Sequence, residues 1–245
     1  MNKREELIPI GIASSVAKTS NFNWMKTIEI VLDLDISVIQ LHLNQFKFDF
    51  DWQMNLAERF DQIYMHLPNN FNHSHSFIDY ITKLSNAPLL IQHEQYLKKN
   101  DIDFFLDTQL SLGFENDQQD NLYGYINYLT ELDTMGMNFF AVIDLPRFYH
   151  QFYNKHTIQE IYSHVLKILK RCKSFNIPVI IHAIDITNYQ ADQTSWVPIF
   201  EGILPWDGFL SFLIDDFFGK KPGAGCKAGC GRLFDRKTQK SIPWF

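Results

Sequence analysis

Eight short apolar runs, separated by longer amphipathic stretches, constrain this chain more than any other feature. They are Ile8–Ala13, Val38–Leu43, Ile63–Leu67, Pro88–Gln92, Leu110–Phe114, Phe139–Leu145, Pro178–Ile184 and Phe209–Ile214, with starts 22 to 39 residues apart. That interval is the length of a strand plus a crossover helix. Most runs are nearly continuous in Val, Ile, Leu and Phe, the pattern of parallel strands buried on both faces. The stretch that opens at Asn21 carries apolar residues at i, i+3, i+4 and i+7 behind an Asn suited to capping. Thr157 to Phe175 repeats the pattern with Ile158, Ile161, Val165, Ile168 and Leu169, and Tyr123 to Leu132 stops before Met135-Gly136. A last helix is expected within Trp196–Leu204. Strand and helix repeated eight times predict an α/β chain folded as a closed (β/α)₈ TIM barrel. The barrel is expected as one domain over residues 1–218, with a Gly/Lys-rich basic extension over 219–245. A doubly wound open sheet is the runner-up, and the Gly-rich first turn it usually needs is absent.

A chain of 245 residues is a natural length for such a barrel, and 46% hydrophobic with 20% charged residues is ordinary globular composition. No apolar run reaches the ~18 residues that cross a bilayer, and no secretory h-region precedes the first strand, so a cytoplasmic address away from membranes is expected. Cys172, Cys226 and Cys230 are too few and too odd in number for a disulfide framework. The net charge of −6 is uneven: from Gly219 onward seven Lys/Arg face one acid, leaving the body at about −12. Nucleic acid is therefore a disfavoured partner. Self-association into a homo-oligomer is left open.

Side chains at the C-terminal ends of barrel strands converge on one pocket. Here those ends carry Gln40-Leu-His42, His66-Leu-Pro68, Gln92-His93-Glu94, Glu115-Asn116, Asp144, His182-Ala-Ile-Asp185 and Asp215-Asp216. Carboxylates and imidazoles gathered at an apolar mouth are costly to bury without a cation or mutual hydrogen bonds, and mixed oxygen and nitrogen donors suit Mn²⁺, Mg²⁺ or Zn²⁺. Arg147 can fork onto an anionic substrate group or pair with a nearby acid. Lys220 to Arg232 reads either as a phosphate clamp after the last strand or as a tail.

The pattern resembles the xylose isomerase-like barrel superfamily of sugar isomerases, sugar epimerases and endonuclease IV-type AP endonucleases. The resemblance runs from about Ile8 to Asp216 and lies in strand order. It implies a divalent metal held by Glu115 in Leu-Gly-Phe-Glu-Asn, Asp144 in Val-Ile-Asp-Leu-Pro and His182 in Ile-Ile-His-Ala-Ile-Asp. His66 in Met-His-Leu-Pro matches a strand-three His that members often show. Aligned through Asp207-Gly208, the strand-eight Glu falls on Leu213, and Asp215, two residues along the same face, is the substitute. Where a His often follows the strand-six Asp by three residues, this chain has Arg147, and the Asp-x-His pair of the nucleases appears as Asp192-Gln-Thr194.

The resemblance implies a divalent-metal-dependent isomerase or epimerase acting on a sugar or sugar phosphate through an enediolate. Glu115 and Asp215 would be the acid/base pair, and Glu115, Asp144, His182 and Asp215 the metal ligands. His66, His93, Arg147 and Asp185 would line the substrate, with Asp185 orienting His182. Two alternatives stand beside it: a barrel without catalysis that serves as a scaffold, and an AP endonuclease.

Overall fold

The computed structural model describes residues 11–13, 23–42, 56, 59–69, 88–97, 99–108, 110–117, 121–188 and 196–213. Their elements run β1 (Gly11–Ala13), α1 (Trp24–Asp33), β2 (Val38–His42), β3 (Gln62–His66), β4 (Leu89–His93), α2 (Lys99–Thr108), β5 (Leu112–Glu115), α3 (Gly124–Thr134), β6 (Phe139–Asp144), α4 (Leu145–Phe152), α5 (Ile158–Ser174), β7 (Val179–His182), β8 (Asp185–Ile186), β9 (Trp196–Val197) and α6 (Trp206–Phe212). Seven strands form one sheet in the order β1-β2-β3-β4-β5-β6-β7. Spatial order that follows chain order means each βα unit adds its strand on the same side. This is the winding of a barrel-type α/β fold, because a doubly wound sheet reverses direction at a switch point. No helix among the described residues is long and apolar enough to cross a membrane.

The chain separates into two compact units, Met1–Glu115 with Leu132–Phe140, and Asn116–Glu131 with Ala141–Phe245. In the first, β1 to β5 pair in parallel, and the register decides which side chains share a face. His42 is level with His66, His66 with Ile91, and His93 with Glu115. Paired residues lie on one face and alternate residues share it, so His42, His66, Ile91, His93 and Glu115 form a single row. The opposite face carries Ile39, Leu41, Ile63, Met65, Leu90, Leu112 and Phe114, all buried. Below the polar row, the Phe140 ring lies on Gly113 so closely that any Cβ there would strike it. α1 begins at Asn23, whose side chain accepts from the Lys26 amide at 3.1 Å, two residues beyond the cap expected from the sequence.

In the second unit β6 pairs with β7 in parallel, with Asp144 level with His182. Thr157 and Glu160 form the capping box of α5: the Thr157 amide donates to Glu160 Oε2 at 2.7 Å and the Glu160 amide to Thr157 Oγ1 at 3.2 Å. The helix then buries Ile161, His164, Val165, Ile168, Leu169 and Cys172, a stripe at helical spacing.

Two expectations fail in this unit. The last strand, expected over Phe209–Ile214, is instead the helix α6, and the helix expected within Trp196–Leu204 is β9, which pairs antiparallel with β8. Phe-Leu-Ser-Phe-Leu satisfies either reading locally. What decides is Trp206, Phe209 and Phe212, three buried aromatics at helical intervals, with Ser211 Oγ bonding the Asp207 carbonyl one turn back. Among the described residues, seven strands form the parallel sheet and no eighth closes it.

Candidate metal centre

The polar row of the first unit ends in a buried cluster. His66, His93 and Glu115 lie at the C-terminal ends of β3, β4 and β5, each no more than 6% exposed. One ligand atom from each lies within 4.8 Å of the others. His66 Nδ1 is 2.9 Å from the Leu67 carbonyl oxygen, and Nε2 is 3.1 Å from Glu115 Oε2. A carbonyl can only accept, so Nδ1 carries the ring proton of a neutral His66. That leaves the Nε2 lone pair pointing at a carboxylate oxygen that also only accepts when ionised. Two lone pairs at this distance need a cation between or beside them, either a proton or a metal ion. A backbone carbonyl that fixes one ring nitrogen so that the other faces outward is the usual support of a metal-binding histidine. Ligand atoms on a tetrahedral ion with bonds near 2.1 Å sit about 3.4 Å apart. The 3.1 Å between His66 Nε2 and Glu115 Oε2 is close to that value.

Neighbouring groups hold the cluster in place. The His42 ring stacks on His66 with centroids 4.6 Å apart and planes 17° from parallel, and the His93 ring lies 4.8 Å from His66 on its own strand end. The Trp24 indole N–H donates to the His42 carbonyl at 2.8 Å, tying α1 to the end of β2. Gln92 is fully buried; its amide donates to the Pro68 carbonyl at 2.8 Å and its oxygen accepts from the His93 amide at 2.9 Å. Gln92 thereby locks the β4 end on which His93 sits.

The second unit carries a different arrangement. Asp144 ends β6 and caps α4, its Oδ1 accepting from the Arg147 amide at 3.2 Å. Asp144 Oδ2 is 3.3 Å from Arg147 Nε and 3.9 Å from His182 Nδ1. Arg147 Nη1 donates to Asp117 Oδ1 at 3.1 Å, and the guanidinium carbon is 5.8 Å from the Trp196 ring centroid. Asn116 clips the Asp144 backbone from both sides, its oxygen accepting from the Asp144 amide at 2.7 Å and its amide donating to the Asp144 carbonyl at 3.0 Å. Burial holds the His150 imidazole below its usual range, against the opposing pull of Asp144.

Of the residues singled out in the sequence, His66, His93 and Glu115 come together in one unit, and Asp144, Arg147 and His182 in the other. Asp185 lies at the start of β8. Its fully buried carboxylate accepts from the Ile186, Leu204 and Gly202 amides at 2.8, 3.0 and 3.2 Å and so anchors the loop before α6. Asp215 lies outside the described residues. Asn116, Gln92 and His42 stood in the strand-end pattern without an assigned role, and Asp117 carried no signal beyond following Asn116.

No family model matches the sequence, and no curated protein does. Solved structures do. The probable 3-DHS dehydratase AsbF of Bacillus anthracis, involved in petrobactin synthesis, has a TM-score of 0.50 at 12% identity, covering 85% of this chain and 90% of that one. At that identity the likeness is one of fold. Dihydropteroate synthases are similar at a lower level. That of Vibrio fischeri has a TM-score of 0.41 at 14% identity, covering 72% of this chain and 73% of that one. That of Xanthomonas albilineans has a TM-score of 0.40 at 10% identity, covering 70% and 68%.

Proposed function

We propose that the chain is a divalent-cation-dependent enzyme that moves a proton on the carbon next to a carbonyl of a small polyhydroxylated substrate, a sugar or sugar phosphate isomerase or epimerase. The observation that carries this reading is the buried His66–Glu115 pair, with a ring nitrogen and a carboxylate oxygen 3.1 Å apart and His93 beside them. His66 Nε2, His93 and Glu115 would hold the ion. The resemblance extends the ligand set to Asp144, His182 and Asp215, but the Asp144 carboxylate is paired with Arg147, so the reading rests on the three residues of the first unit. A bound divalent ion would supply the charge that stabilises an enediolate.

The chain's own groups do the rest. Glu115 takes the proton from carbon and returns it through a carboxylate oxygen that the ion leaves free, while the His66 Nε2 lone pair, 3.1 Å from Glu115 Oε2, is committed to the ion. The Leu67 carbonyl keeps the other ring nitrogen protonated throughout, so the exchangeable proton stays on the Glu115 side. Burial of all three groups excludes bulk water and strengthens each of these interactions.

The test is deuterium incorporation from D₂O, followed by NMR, into a panel of ketoses, aldoses and their phosphates with the Mn²⁺-loaded protein. The reading expects exchange at the carbon next to the carbonyl, lost in Glu115→Gln. A panel that includes 3-DHS also addresses the dehydratase class of the Bacillus anthracis neighbour, because elimination of water beside a carbonyl begins with the same proton removal. Stoichiometric Mn²⁺ without exchange on any member would leave a metal-binding barrel without this chemistry and overturn the proposal.

A further inference from the structure

We infer that Arg147 is a tethered cation occupying what would otherwise be a second metal position, so that the Asp144–His182 pair of the second unit binds no ion while Arg147 is present. This goes beyond the proposed function and rests on it only for the count of ions in the unaltered protein. Asp144 and His182 are level on adjacent parallel strands, so their side chains share a face, with Asp144 Oδ2 and His182 Nδ1 3.9 Å apart. A carboxylate and an imidazole so placed are an ordinary pair of ligands for a divalent ion. What stands against the carboxylate is a guanidinium. Arg147 meets both Asp144 oxygens, Oδ1 through its backbone amide at 3.2 Å and Oδ2 through Nε at 3.3 Å, and reaches a second acid, Asp117, at 3.1 Å.

Three features make this more than a surface ion pair. The Asp144 side chain is 3% exposed, so its charge is not screened by water and needs a permanent counter-charge. The counter-charge sits three residues along the chain on the first turn of α4, which gives it a high effective concentration that a free ion must outcompete. Arginine also remains charged at any pH the protein meets and lies near the Trp196 ring, so proton loss does not vacate the place. A divalent ion at Asp144 Oδ2 would have to share that oxygen with a like charge at hydrogen-bonding distance. The donor set fits an ion only once the guanidinium is gone.

The experiment measures Mn²⁺ bound per chain, by elemental analysis after dialysis and by calorimetric titration of the metal-free protein with MnCl₂. Four full-length chains are compared: the unaltered protein, Arg147→Met, which keeps the apolar stem beside Trp196, Arg147→Lys, which keeps a cation, and Asp144→Asn, which keeps an N-capping oxygen. The inference expects one additional equivalent of Mn²⁺ in Arg147→Met relative to the unaltered protein, and none in Arg147→Lys. Loss of that equivalent in the double variant Arg147→Met/His182→Ala supports the assignment. If the unaltered protein binds no Mn²⁺ but Arg147→Met binds one, the inference stands and the proposed function falls. An unchanged stoichiometry in a folded Arg147→Met chain overturns the inference. Should that variant not fold, Asp144→Asn decides: unchanged stoichiometry and affinity within threefold support Arg147 as the resident cation, whereas loss of an equivalent or a tenfold weaker site makes Asp144 a metal ligand and overturns it.

Discussion

The two units solve one electrostatic problem in opposite ways. Each buries a carboxylate beside imidazole at the C-terminal end of parallel strands: Glu115 with His66 and His93, Asp144 with His182. In the first, acceptor faces acceptor across 3.1 Å, and the described neighbours that position the cluster are a carbonyl, a stacked imidazole and a glutamine amide. In the second, an arginine supplies the positive charge and asparagine clips the backbone from both sides. Strand-end residue types alone therefore do not make a metal centre. On the function proposed above, a guanidinium carried by the chain beside the carboxylate is what separates the second arrangement from a site that recruits an ion.

The sharpest way to break this contrast is to remove a ligand from the first cluster. His66→Ala should weaken Mn²⁺ binding by on the order of 100-fold, read by calorimetry, because it removes a nitrogen donor held in place by the Leu67 carbonyl. His182→Ala should leave that affinity within a few-fold. Equal losses in the two variants would erase the distinction.

A second test compares pH responses. His164 sits on the buried stripe of α5 between the Tyr123 and Phe148 rings, with neither ring nitrogen hydrogen-bonded among the described residues, and burial pushes its pKa down to about 4. Its unfolded value is near 6.5, so between the two the unfolded chain takes up the proton first. Stability is fully present above pH 6.5 and falls as pH drops toward 4, by about 2–3 kcal/mol from this residue. Denaturant titrations at pH 7 and pH 4.5 should show His164→Leu losing correspondingly less than the unaltered protein. Parallel losses would place the acid sensitivity elsewhere.

Asn116→Ala should cost about 2 kcal/mol, since two backbone groups of Asp144 lose their partners in a buried setting. If Arg147 is held by those contacts, the same variant should also raise the salt dependence of stability. The smallest effect is Thr157→Ala, which removes one half of the α5 capping box and should lower stability by about 1 kcal/mol without altering Mn²⁺ binding. Denaturant and calorimetric titrations of the same samples separate the two readouts.

Much of this was legible before any coordinates. Near-continuous apolar runs marked the seven parallel strands and put His66, His93 and Glu115 at strand ends, but that these three share a face follows only from the register. The helix that follows Thr157 was equally visible. The last element was not. Phe209 to Leu213 is apolar at both strand and helix spacing, and only the burial of Trp206 with Phe209 and Phe212 shows which period operates. Nor did the sequence reveal that Arg147 answers two acids at once, because Asp117 lies thirty residues away and meets it only through the fold. The partners of Asp185 were hidden for the same reason. Its oxygens accept from the amides of a loop that returns from residues 202–204, which no local pattern announces.

The most direct test of the central claim is a crystal of the unaltered chain grown with Mn²⁺ and measured for anomalous scattering at the manganese edge. The account predicts a peak within bonding distance of His66 Nε2, a His93 ring nitrogen and a Glu115 oxygen, and no peak on Asp144 while Arg147 stays in contact with it. An Mn²⁺ ion held by Asp144 and His182, with the His66–Glu115 pair still bonded directly to each other, would contradict it.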